Sequence, residues 1–210
     1  MNEINIPMAL LDFVPVIFCG FTAAFLIGGF RKRMTAVQSA FFSAGAIMLV
    51  TGGFMKALWK LLFALGICDM TALTEQFFPN QAAAFLFLSV STIGMLAKNK
   101  TLSGSRVYSV AAVPVVASHL PFIIVMTWGL VAWYIGLVIS AVKLKRRNAA
   151  VLIAIALVVM LTHSALGTKF DSAKGILHWI AESQNVVAQF LLMLGAWIMN
   201  KAMKEYDTEK

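Results

Sequence analysis

The chain has 210 residues and a formal net charge of +8, and 60% of its residues are hydrophobic against 12% charged. Soluble domains hold about 45–50% apolar and about 25% charged residues; a mean hydropathy of +0.86 leaves too little polar surface to coat a water-soluble globule. The basic excess does not mark a nucleic-acid partner either. Lys and Arg gather in short clusters beside apolar runs of about 18–22 residues, the length that crosses a bilayer core, and such clusters mark the cytoplasmic side. The expected fold is all-α, a polytopic transmembrane helix bundle in the cell membrane.

In chain order, the opening MNEINIP lacks a basic n-region, and the first basic cluster, Arg31-Lys32-Arg33, follows the first apolar run. This predicts an external N-terminus and a first helix that is retained. Span 1 covers about 9–30, with Asp12, Pro15, Cys19 and Thr22 on one helical stripe. Span 2 covers about 36–55. Beyond it Lys56 and Lys60 flank Trp59, read as snorkelling at the outer interface or, with Lys169, as a basic rim for an anionic solute. Span 3 covers about 79–97 and opens on Pro79, at a first-turn position where a missing N–H costs nothing.

The stretch 105–119, SRVYSVAAVPVVASH, is short and carries Pro114. If it crosses the membrane, the clusters around Arg31, Lys98, Lys145 and Lys201 all face the cytoplasm. Without it, two of them face opposite ways. Seven spans are therefore expected, with six as the alternative. The remaining spans fall at about 121–142, 149–166 and 183–200, before a cytoplasmic tail at 201–210.

One phrase occurs twice. Residues 74–89, TEQFFPNQAAAFLFLS, and 178–193, HWIAESQNVVAQFLLM, each place two amides before an apolar run, and Asn80-Gln81 precedes Gln184-Asn185 by 104 positions. Phe13-Val14-Pro15 likewise matches His119-Leu120-Pro121, and Arg31-Lys32-Arg33 matches Lys145-Arg146-Arg147. A single membrane domain over 1–210 is expected, built as 3+1+3 parallel repeats. Residues 9–97 form the first three-helix unit, 105–119 the linking helix and 120–200 the second unit. An odd linking span gives both units the same orientation.

Polar side chains inside a bilayer are costly and turn toward a bundle interior or a cavity. Glu182, Asn185 and Gln189 share one face of span 7. With Asn80 and Gln81 opposite and Asp12 and His163 at the mouth, they predict a substrate crevice open to the outside. The alternative is structural: Glu182 caps its helix and the amides bridge helices. His119, His163 and His178 all fall at outer helix ends; with Asp171 or Glu182 they could ligate zinc, and a pair could ligate haem. No motif supports either, so no cofactor is expected and zinc or haem is the alternative. Cys19 and Cys68 form no motif. A phosphate loop and a nucleophile elbow are absent from the sequence.

These features predict a small-solute transporter, facilitator or channel whose crevice lies between the two units. The alternatives are a membrane-embedded, metal-dependent enzyme acting on lipid, and the substrate-binding subunit of a multi-component transporter. The expected partners are the lipid bilayer and a small-molecule solute, with no nucleic acid. At 22.9 kDa the chain is small for a stand-alone pump, so a homo-oligomer or an energising partner subunit is part of the expectation.

Overall fold

A computed structural model of the chain describes residues 5–97, 120–167 and 175–209. The expected linking helix at 105–119, with His119, Lys169 and Asp171, lies outside them. Every regular element among the described residues is an α-helix: α1 (Ile6–Leu11), α2 (Phe13–Phe30), α3 (Ala36–Ala64), α4 (Thr71–Glu75), α5 (Phe77–Leu96), α6 (Leu120–Lys143), α7 (Arg147–Gly167) and α8 (Gly175–Thr208). Five stretches are long and apolar enough to cross a membrane: Ile6–Phe30, Ala36–Ala64, Thr71–Leu96, Leu120–Lys143 and His178–Thr208. α7 is apolar over the shorter Arg147–His163.

Local chemistry sets the helix ends. The Asn5 side chain accepts the Met8 N–H at 3.0 Å to open α1. Thr35 and Gln38 form a reciprocal capping box at the start of α3. Gly66, just past the end of α3, takes φ +68°, the left-handed conformation that stops a helix and favours glycine. α3 runs on to Ala64, well past the apolar run at 36–55, and α8 continues through Lys201–Thr208. Ala202 and Met203 are buried there, so the polar composition ends the apolar run without ending the helix.

Among the described residues six long helices form a closed ring in chain order: α2 beside α3, α3 beside α5, α5 beside α6, α6 beside α7, α7 beside α8, and α8 back against α2. Specific pairs give their directions. Phe13 meets Phe54 while Phe30 meets Phe42, so α2 and α3 are antiparallel. Gly45 lies against Ala84 and Leu88, and Gly52 against Asn80 and Gln81, so α3 and α5 are also antiparallel. Gly129 meets Phe85 and Gly136 meets Thr92, while Lys143 Nζ donates to Leu96 O at 3.4 Å. α5 and α6 therefore run parallel, and Ala97 and Leu120 lie at opposite ends of the bundle. α8 is antiparallel to α7 through Gly195 with Ile153 and Gln189 with Met160. It is parallel to α2 through Phe18 with Phe190 and Gly28 with Asn200.

The ring is filled by side chains. Phe30, Phe42, Tyr134, Leu137 and Met199 are at most 1% exposed. Cys19, Leu26, Leu49, Leu88 and Trp133 surround a void of only about 10 Å³, at the lower limit for one water. Outward faces are apolar instead: Ile17, Ile47, Val90, Trp128 and Val158 are all exposed, surface that hydrocarbon accepts and water penalises by about 25 cal/mol per Å². At one end the chain is clamped by Arg33, which donates to Gly29 O at 2.9 Å, Met203 O at 3.3 Å and Asp207 Oδ1 at 3.1 Å.

Candidate functional site

At the end opposite that clamp, three ionisable side chains meet. Asp12 lies at the break between α1 and α2, Lys60 in the last turns of α3 and Glu182 in the N-terminal third of α8. Lys60 Nζ is 2.6 Å from Asp12 Oδ2 and 2.5 Å from Glu182 Oε1. All three residues are no more than 8% exposed. Taking such charges out of water is expensive, and only close pairing compensates it. One ammonium serves two carboxylates, and Asp12 Oδ1 is buried without a hydrogen-bond partner. The arrangement is a compact polar knot that fastens α8 to α3 and to the start of α2.

Other groups lie around it. Lys56, one turn before Lys60, places its ammonium 4.6 Å from the centre of the Phe77 ring, a cation–π contact. His163, partly buried at the end of α7, is within electrostatic reach of Glu182, Lys56 and Lys60. Trp59 Nε1 donates to Asp69 at 2.9 Å on the exposed rim.

The expected site residues divide. Asp12 and Glu182 come together through Lys60, with His163 nearby. Gln81 is buried, and its Nε2 donates to Leu49 O of α3 at 3.1 Å; Asn80 lies beside Gly52 of the same helix. Gln189 Nε2 faces Met160 Sδ of α7 at 4.0 Å, and its Oε1 is buried without a partner. Asn185 is partly buried. Gln81 of α5 thus faces α3, and Gln189 of α8 faces α7.

Lys60 is the member that reading from the end of the apolar run misses. A lysine just past a span reads as snorkelling, yet this one points inward. The signal lies in periodicity: Gly45, Leu49 and Gly52 form the buried stripe of α3, and continuing it by helical steps reaches Lys60.

Among the described residues no group of three or more His, Cys, Asp or Glu is arranged to hold a metal ion; His163 and His178 are described, and His119 is not. No family model, curated protein or solved structure matches the chain.

Proposed function

We propose that the chain is a small-solute membrane transporter, made of two parallel three-helix units joined by a membrane-crossing link, with Asp12, Lys60 and Glu182 as the lock at its outer end. The observation that carries this reading is the origin of the three charges. Asp12 and Lys60 belong to the first unit and Glu182 to the second, and ionisable residues inside the membrane, which lipid penalises, mark substrate and ion pathways. In this reading the outer end is closed in the structure, and the expected crevice is what appears when α8 parts from α3. Lys60 keeps Asp12, Glu182 then needs a new partner, and a polar solute supplies it.

The seven-span arrangement is supported by the parallel packing of α5 and α6. Ala97 and Leu120 therefore lie at opposite ends of the bundle, as expected if the chain crosses the membrane between them, at 105–119. The repeat is supported by contacts that recur at one constant step of 108 positions, the interval from Gln81 to Gln189. Gly45 with Phe87 corresponds to Ile153 with Gly195, Gly52 with Gln81 to Met160 with Gln189, and Gly28 with Asn200 to Gly136 with Thr92. This register pairs Gln81 with Gln189 and not with Asn185, the match that the repeated amide phrase suggests. With the basic clusters cytoplasmic, the N-terminus lies outside and the C-terminus inside. A metal-dependent enzyme has less support, since its proposed ligands include residues on which no geometry bears.

Purified protein in liposomes tests the transport reading. Vesicles are incubated with a mixture of amino acids, sugars, amines, nucleosides and carboxylic acids, and their contents are followed by mass spectrometry. The expected result is time-dependent entry of one solute class, lost in Glu182→Gln. Entry no faster than into protein-free vesicles for every class would overturn it.

A further inference from the structure

At the clamped end of the bundle a cleft of about 730 Å³ opens between the α6–α7 turn and the last third of α8. Its rim carries four cations, Lys145, Arg146, Arg147 and Lys201, against one carboxylate, Glu205. Arg146 pairs with Glu205. Lys145, Arg147 and Lys201 make no ion pair among the described residues. The basic cluster of the other half is treated differently. There Asp207 of α8 pairs with Arg33 at 3.1 Å and with Lys32 at 3.5 Å, and Arg31 makes no ion pair among the described residues. The same C-terminal stretch thus leaves one cation of that cluster unpaired, and three around the cleft.

The walls of this cleft are apolar. Val142, Trp197, Ile198 and Ala202 line it, and Trp197 is 48% exposed, placed as an indole is placed at the headgroup level of a membrane. Exposed Val142 and Ile139 continue the apolar surface along α6 away from the cations. A cationic rim above an apolar wall that runs down the outside of a transmembrane helix has the polarity of a phospholipid with an anionic headgroup. A soluble phosphate matches the rim and has no use for the wall.

We propose that this cleft binds an anionic phospholipid, its phosphate on Lys145, Arg147 and Lys201 and its acyl chains along Val142, Ile139 and Trp197. The two units then differ in use: the basic loop of the first closes on α8 of the second, and the basic loop of the second closes on lipid. The site is independent of what crosses the membrane.

Native mass spectrometry of the purified protein tests the assignment, with detergent micelles supplemented with phosphatidylglycerol or with phosphatidylcholine of the same acyl chains. Phosphatidylglycerol is expected to be retained at least about tenfold more strongly. The Lys145→Gln, Arg147→Gln, Lys201→Gln triple variant loses about a hundredfold of that affinity, and each single variant about fivefold, as expected for roughly 1 kcal/mol per basic residue near the surface. Lys32→Gln, which removes a cation that pairs with Asp207 and lies outside the cleft, retains the lipid as the unaltered protein does. The single variants carry the test if the triple variant does not fold. Equal retention of the two lipids, or retention unchanged in the variants, overturns the proposal. Displacement of the lipid by millimolar glycerol 3-phosphate would assign the rim to a soluble phosphate and overturn it as well.

Discussion

Asp12 and Glu182, near opposite ends of the sequence, are held together by one ammonium group, that of Lys60, at 2.6 and 2.5 Å. The contact closes the ring where the first and last long helices meet, away from every basic loop cluster among the described residues. It also fixes what each variant of the three must do.

Lys60→Met leaves two buried carboxylates facing each other with nothing between them. Removing one partner of a buried pair costs about 3–5 kcal/mol, so a clear fall in melting temperature in detergent is expected. Combining Lys60→Met with Asp12→Asn and Glu182→Gln removes the charges together and should recover much of that loss. A triple variant no more stable than Lys60→Met would show that charge pairing is not what holds the knot.

Topology is accessible through a native reporter. Cys68 is exposed just beyond α3 and Cys19 is buried. An impermeant maleimide added to intact cells should label Cys68 and nothing else. In a Cys68→Ser background, single cysteines at Lys32, Lys145 and Lys204 should be labelled only after permeabilisation. External labelling at 145 with protection at 32 would rule out the crossing proposed for 105–119, and with it the proposed parallel units.

Close helix contact gives a third outcome. A Cβ at Gly45 would sit 2.8 Å from the backbone oxygen of Ala84, and backbone cannot step aside. Gly45→Ala should therefore cost about 1–3 kcal/mol by overpacking, in spite of the roughly 1 kcal/mol that alanine gains in helix propensity. At Gly53 the nearest atom is a valine methyl at 3.3 Å, which can shift. Gly53→Ala should be neutral or stabilising in the same thermal assay.

The clamp at the basic end predicts a smaller effect. Asp207 is partly exposed, so Asp207→Asn is expected to cost about 1 kcal/mol or less. Limited proteolysis is the sharper readout: the last turns of α8 should be cut faster once Arg33 and Lys32 lose their acceptor.

Much of this was legible in the residues, for identifiable reasons. Membrane class and helical content follow from composition, because hydrocarbon-length apolar runs admit few other folds. Asp12 and Glu182 stand out as charges at the ends of apolar runs. The partner that joins them does not, since Lys60 lies past the hydropathic end of its span and only the stripe through Gly45, Leu49 and Gly52 points it inward. The register of the repeated phrase is obscured by helix geometry. The amides match by type at a step of 104 and the contacts recur at 108. A shift of four residues turns a helix face by only about 40°, so polar residues at either step lie on nearly the same side. The helical end of α8 is hidden for a different reason: hydropathy measures affinity for lipid and is blind to a helix that continues into water.

α8 joins Glu182 at one end of the bundle to Asp207 at the other without a break. The two residues are about 37 Å apart along its axis. If that rod rocks by about 5° around its midpoint, each end is displaced by about 1.6 Å in opposite senses, comparable to the margin that separates a made ion pair from a broken one. A rigid α8 would then couple the Lys60–Glu182 contact to the Arg33–Asp207 clamp as the two arms of one lever.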